Sequence, residues 1–129
     1  MTILLDTHAF LWFIAGDPKL GARTRALIEE PSNRVLLSIA SLREIVIKAS
    51  IGKLPLAKSL ENLYRDDVQG NAIEVLPITI EHLETLASLP LIHRDPFDRL
   101  LVAQSKVEQV DFVSADPALD GYGITRVWR

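Results

Sequence analysis

Short apolar runs recur along the chain, each followed by a segment with helical spacing, and this alternation constrains the fold more than any other feature. "TILLD" (residues 2–6), "RVLLS" (34–38), "IEVLPI" (73–78) and "VDFVSAD" (110–116) are each too short for a membrane span and too uniformly apolar for an exposed strand. They read as buried strands, and "TRVWR" (125–129) as a fifth at the C-terminus. Between them, "THAFLWFIAG" reads as a short helix stopped near Gly16 and Asp17-Pro18, and "KLGARTRALIEE" as a second helix ending before Pro31. Ser38 is placed to cap "IASLREIVIKASIGKL", where Ile39, Leu42, Ile45, Val46 and Ala49 recur at helical spacing and define a core-facing side. Further helices are expected over "AKSLENLYRDDVQ", over "TIEHLETLASL" with Thr79 and His82 or Glu81 making the capping contacts, and from about Pro96 to Gln109. Strands alternating with helices favour an α/β fold, a parallel sheet of four to five strands covered on both faces. Repeats and long linkers are not evident, so the 129 residues read as one domain, residues 1–129, long enough to bury a core without disulfides or a structural metal.

Composition narrows the function classes. The chain has no cysteine, which excludes a disulfide scaffold and a thiolate metal site and fits a reducing cytoplasm. Asp6 and His8 interrupt the apolar N-terminus and no basic segment precedes it, so neither a signal peptide nor a membrane anchor is expected. A net charge of −3 argues against holding nucleic acid on a broad basic surface, but leaves room for a local site where a bound cation supplies the positive charge.

The positions of the acids carry the chemistry. Asp6 ends the first apolar run and Asp116 follows the fourth, so both stand at carboxyl ends of parallel strands, where open α/β sheets bind ligands. Each is equally readable as a helix cap, Asp116 with Pro117 at the first helical position. Glu44 lies on a helix nearly opposite the side carrying Leu42 and Ile45; it is either a surface residue paired with Lys48 or part of a site, with Ala40 and Ile47 flanking it. In "HRDPFDRLLVAQS" (93–105), Asp95 and Pro96 make a helix start. Asp98 stands in the first turn of a helix whose Phe97, Leu100, Leu101, Val102, Ala103 and Val107 point almost everywhere, and a desolvated carboxylate there needs a partner. Four such acids from distant segments would repel one another unless neutralised, and an all-oxygen set suits a hard divalent cation, Mg²⁺ or Mn²⁺. A site of that kind can activate water and stabilise charge on a phosphate, which points to phosphodiester hydrolysis.

"LLDTHAFLW", "LSIASLREIVIK", "RDPFDRLLVAQS" and "DFVSADPAL", in this order over nearly the whole chain, resemble the PIN-domain ribonucleases, and among them the VapC toxins of toxin-antitoxin pairs. The resemblance implies a three-layer α/β/α domain and a Mg²⁺-dependent endoribonuclease site. By motif it assigns Asp6, Glu44, Asp98 and Asp116 as the catalytic and metal-binding acids, with Ser114 as the small hydroxyl residue two before the last acid and Asp95 as a cap or an outer acid. It also implies an RNA substrate, a VapB-like antitoxin partner whose tail lies in a groove near the site, and a homodimer that forms larger assemblies with the antitoxin. Phe10, Leu11, Trp12 and Phe13 are more bulk than one core stripe needs, which fits either such an interface or simple core packing. Arg43, Lys48, Arg94 and Arg99 stand near the acids and are candidates for RNA phosphates, or are ordinary solvated or paired side chains. His8 and His93 lack any ligand spacing and are assigned to no metal.

Two readings compete with a nuclease. One is a catalytically silent α/β binding module whose acids are caps and surface charges. The other is aspartyl-phosphate chemistry on Asp6, which would want a second aspartate two residues on, where this chain has His8. Within the nuclease reading, a PIN-type enzyme of RNA processing without an antitoxin is the alternative to a toxin.

Overall fold

The computed structural model describes residues 1–128. Five strands, β1 (Thr2–Leu5), β2 (Arg34–Ser38), β3 (Glu74–Leu76), β4 (Asp111–Val113) and β5 (Arg126–Val127), form one sheet in the order β3-β2-β1-β4-β5. Every pairing is parallel, with Leu4 level with Leu36 on one side and Phe112 on the other. The helices are α1 (Thr7–Ala15), α2 (Ala22–Glu29), α3 (Ile39–Ser50), α4 (Leu60–Leu63), α5 (Ile80–Ser88) and α6 (Pro96–Glu108).

The strands are apolar on both faces because both faces are covered. Ile3, Leu5, Val35, Leu37 and Val113 pack with Phe10, Phe13, Ile28, Leu42 and Ile45 on one side of the sheet. Leu4, Leu36 and Phe112, the alternating residues, pack with Leu89, Leu101 and Val102 of the other. This is the three-layer α/β/α arrangement expected. The chain leaves β1 for β2 and β3 on one side, then crosses back to β4 on the other, so the order reverses beside β1 and a crevice opens at the carboxyl ends of β1 and β4.

Three local expectations need correction. Gly21, at φ 81, breaks the segment 19–30, leaving a 3₁₀ turn at Pro18–Leu20 before α2. Residues 57–69 do not form one α-helix: α4 passes into a π turn at Tyr64–Val68 and a 3₁₀ turn at Gln69–Asn71. The wider π turn brings Leu63 and Val68, five residues apart, to the core together. On α3 the expected side is only half right. Leu42 and Ile45 are buried, but Ile39 and Val46 are exposed while Glu44 is 7% exposed. The helix lies between α1 and α6, so its small residues Ala40 and Ser41 turn inward, and the Thr7 hydroxyl donates to Ser41 Oγ at 3.0 Å.

The aromatic segment of α1 divides between core and surface. Phe10 and Phe13 are buried, whereas Trp12 is partly exposed, its ring 5.8 Å from that of Trp128 and 5.7 Å from that of His8. Arg129 of the expected fifth strand lies outside the described residues. Among the described residues, no helix is long and apolar enough to cross a membrane.

Thr79 caps α5 as expected, with His82 as its partner: the Thr79 hydroxyl accepts from the His82 amide at 3.2 Å, and His82 Nδ1 accepts from the Thr79 amide at 3.0 Å. The buried ring's Nε2–H then donates to Glu108 of α6 at 2.8 Å, tying α5 to α6. His82→Ala removes the cap contact and this charged hydrogen bond together, and is expected to cost about 2–3 kcal/mol. Urea unfolding of the two proteins measures it; a difference under about 0.5 kcal/mol, the scale of ordinary surface substitutions, would contradict this role.

Candidate metal centre

The carboxyl ends of β1 and β4 bring the first two acids together. Asp6 caps α1, its Oδ1 accepting from the Ala9 amide at 2.6 Å, and its own amide donates to the Val113 carbonyl at 3.0 Å. Ser114, fully buried after β4, hydrogen-bonds the Asp6 carboxylate and accepts from the Asp116 amide at 3.2 Å. One hydroxyl therefore joins the two strand ends, donating to one acid and fixing the backbone of the other. Burial pushes Asp6 above the ordinary carboxylate range, against the stabilising bonds from Ala9 and Ser114, and the charge of Glu44 adds to the rise.

Asp98 enters from the first turn of α6. Its side chain is 30% exposed, and burial, followed by the charge of Asp95, pushes it up to about 6; Asp6 and Glu44 add smaller repulsions and His93 opposes them. Asp95 is the cap of that helix, accepting from the Phe97 amide at 2.9 Å and the Asp98 amide at 3.4 Å. Asp116 caps the 3₁₀ turn Pro117–Tyr122 through Oδ1, which accepts from the Ala118 amide at 3.0 Å, and its other oxygen lies 3.0 Å from His93 Nε2. The cap readings of Asp6, Asp95 and Asp116 are therefore correct as far as they go. They coexist with further contacts, because a cap such as that of Asp116 uses one carboxylate oxygen and leaves the other to meet His93.

Glu44 approaches from α3. Buried, it pairs with Lys48 Nζ at 2.9 Å, and the Lys48 ammonium is held above its usual range by that bond, with Asp95 and Asp98 contributing. Glu44 in turn raises Asp6 and Asp98, so all three share one electrostatic basin. The other basic candidates differ in placement. Arg43 is exposed with its guanidinium 5.8 Å from the centre of the Phe97 ring, and Arg94 is exposed. Arg99 donates to the Leu89 carbonyl at 3.1 Å, a structural contact. A groove of about 740 Å³ runs beside Glu44 and Lys48, lined also by Trp12, Leu54, Lys53 and Lys58.

The residue missed in the sequence is His93. Its Nε2 lies 3.0 Å from Asp116 and 3.7 Å from Asp98, and the three side chains present one ligand-type atom each within 4.8 Å of one another. Ligand spacing did not betray it, because its neighbours in space come from other segments. The available signal was its position two residues before the cap of the helix carrying Asp98.

A parallel sheet with Asp6 and Asp116 at the strand ends beside its switch point, and Asp98 close to Asp116 from α6, defines an α/β/α domain with an acidic candidate site. The PIN domain family model matches residues 3–124, and the chain belongs to the PIN domain family. Its fold is similar to that of VapBC2 from Rickettsia felis bound to a fragment of promoter DNA, with a TM-score of 0.75 at 15% identity over 100% of both chains. It is also similar to VapC20 of Mycobacterium tuberculosis, a sarcin-ricin loop cleaving toxin (TM-score 0.66, 17% identity, covering 98% of this chain and 99% of that one). A third likeness is to VapBC-1 from nontypeable Haemophilus influenzae (0.67, 15%, 98% and 97%). At these identities the likeness is one of fold. No curated protein matches the sequence significantly.

Proposed function

We propose that this protein is a divalent-metal-dependent endoribonuclease, acting in the cytoplasm as the toxin of a toxin-antitoxin pair. The observation that carries the reading is the approach of Asp98 and Asp116 within 4.8 Å of each other beside His93, with Asp6 and Glu44 outside that close group but near enough for their charges to act on Asp98. Burying several carboxylates within reach of one another is costly unless a cation neutralises them, and Asp6 and Asp98 both register that cost in raised proton affinity. The donor set is one of hard oxygens and fits Mg²⁺ or Mn²⁺. Asp6, Asp98 and Asp116 would hold the ion, with Glu44 at its margin. When bound, such an ion supplies Lewis-acid stabilisation of a phosphate and lowers the proton affinity of a water.

The chain's own residues prepare the site. Ser114 holds Asp6 and the Asp116 backbone in register, and Asp95 fixes the first turn of α6 so that Asp98 faces inward. Lys48 offsets the charge of Glu44, and with Arg43 and Arg94 it offers cations to the phosphates of an RNA strand; Arg99 is occupied by Leu89. Structural neighbours named as VapBC and FitAB complexes support an antitoxin partner. The groove beside Glu44 is the surface next to the site for its tail, and a homodimer follows the same pattern. The silent-module reading accounts for the caps Asp6, Asp95 and Asp116 but not for the partly buried Asp98 carboxylate set against His93 and Asp116.

Purified protein is expected to cleave single-stranded RNA with Mg²⁺ or Mn²⁺ present, and to lose that activity on chelation or on Asp6→Asn. Undiminished cleavage after chelation would rule out the metal mechanism. A nuclease active as stated, but not inhibited by the product of an adjacent small reading frame, would be a PIN-type RNA-processing enzyme and no toxin.

A further inference from the structure

We propose that His93 is a positioning residue of this site: as the Nε2–H tautomer it donates a hydrogen bond to Asp116 and holds that carboxylate in place, and it is not itself a metal ligand. Its supplying one of three ligand-type atoms within 4.8 Å of one another invites the opposite conclusion. The hydrogen bonds decide against it. His93 Nδ1 accepts from the Asp95 amide at 3.1 Å, so Nδ1 carries a lone pair and no proton. In a neutral imidazole the proton then sits on Nε2, the atom 3.0 Å from Asp116 Oδ2. A nitrogen bearing a proton has no lone pair for a cation. Ligation through Nε2 would move the proton to Nδ1, set it against the Asp95 N–H, and take from Asp116 its donor.

The ring is well anchored for this purpose. The His93 amide donates to the Tyr122 hydroxyl at 2.8 Å, so the backbone is tied to the 3₁₀ turn that Asp116 itself caps. The same Nε2–H faces Asp98 Oδ2 at 3.7 Å, beyond hydrogen-bond reach but between two carboxylates that would otherwise repel. Asp116 thus has Oδ1 on the Ala118 amide and Oδ2 on His93, and only its remaining lone pairs face the cluster. Outer-shell donors of this kind orient metal-binding groups, and their loss characteristically lowers metal affinity by roughly 10–100-fold.

The donor assignment stands on the metal-free protein, whereas its consequence for the ion rests on the function proposed above. Long-range ¹H–¹⁵N correlation spectra of the metal-free protein are expected to give the Nε2–H pattern for His93; the Nδ1–H pattern would overturn the proposal. Mn²⁺ binding, followed by electron paramagnetic resonance, is expected to weaken by roughly 10–100-fold in His93→Ala. His93→Gln, whose amide nitrogen reaches the place of Nε2 and still donates, is expected to restore the affinity, which a loss of folding alone would not allow. The bound Mn²⁺ should show no ¹⁴N coupling from a directly coordinated imidazole. Such a coupling, absent in His93→Ala, would make His93 a ligand, and equal Mn²⁺ affinity in His93→Ala and wild type would also overturn the proposal. If the wild type binds no Mn²⁺, the metal mechanism falls and the tautomer measurement still decides the donor role.

Discussion

Asp98→Asn is expected to make the metal-free protein more stable while removing its activity. Burial and the neighbouring Asp95 raise the Asp98 carboxyl from 3.8 to about 6. A group that holds its proton more tightly folded than unfolded stabilises the fold at low pH, and that contribution is lost as the pH rises through the folded value. For Asp98 the loss falls between about pH 4 and pH 6. At about 1.4 kcal/mol per pKa unit the shift corresponds to roughly 3 kcal/mol, which solvent screening of a partly exposed side chain reduces to about 2 kcal/mol. Asparagine does not titrate, so Asp98→Asn should lack this decline and exceed the wild type by about 2 kcal/mol above pH 6. Urea unfolding across that range measures it. Cleavage should fall by roughly 10²–10³-fold, since a bound cation supplies several kcal/mol of charge stabilisation that the lost ligand weakens. A mutant that is less stable than wild type at pH 7, or that cleaves equally, would show that Asp98 is not a strained member of the site. Mg²⁺ or Mn²⁺ should in turn stabilise the wild type more at pH 7.5 than at pH 5, because binding needs the ionised carboxylate.

What the sequence disclosed, and what it withheld, follows from which physical signals are local. The strands were legible because a sheet buried on both faces writes unbroken apolar runs, as in Ile3-Leu4-Leu5 and Val35-Leu36-Leu37. Asp6 and Asp116 were legible as strand-end acids for the same reason, and Asp98 because its helix is apolar in nearly every direction. Glu44 was harder. Helical periodicity reports a single dominant side, and α3 is buried along an arc that includes small residues and a charged one, so Val46 was expected inside and Glu44 stayed open between surface and site. The π turn after α4 is a tertiary compromise between Leu63 and Val68, with no local signal to announce it. His93 was invisible as a partner of Asp116 because the two are 23 residues apart and meet only when the 3₁₀ turn folds back through Tyr122.

Phe10→Ala and Phe112→Ala are expected to be the most destabilising single substitutions of the fold, and their combination tests whether the two layers are independent. Both rings are fully buried, Phe10 under α1 on one face of the sheet and Phe112 in β4 on the other. Each truncation loses transfer energy and leaves a cavity, about 3–5 kcal/mol apiece. The two sites share no cluster, so their costs should add to within about 0.5 kcal/mol. The sum, roughly 6–10 kcal/mol, is comparable with the whole stability of an ordinary domain, and the double mutant is expected to be largely unfolded at 25 °C. Guanidinium unfolding of the single mutants gives the two terms, and the double mutant gives their sum. The singles also differ in their relation to the site. The Phe10 amide donates to the Asp6 carbonyl at 3.1 Å, so a cavity under α1 loosens the turn that aims the Asp6 carboxylate. Phe112 instead supports β4 two residues before Ser114, the hydroxyl that joins Asp6 to Asp116. A double mutant that stays folded with far less than the summed loss would mean that the sheet transmits strain between its faces, and the acids at its edge would then answer to both cores at once.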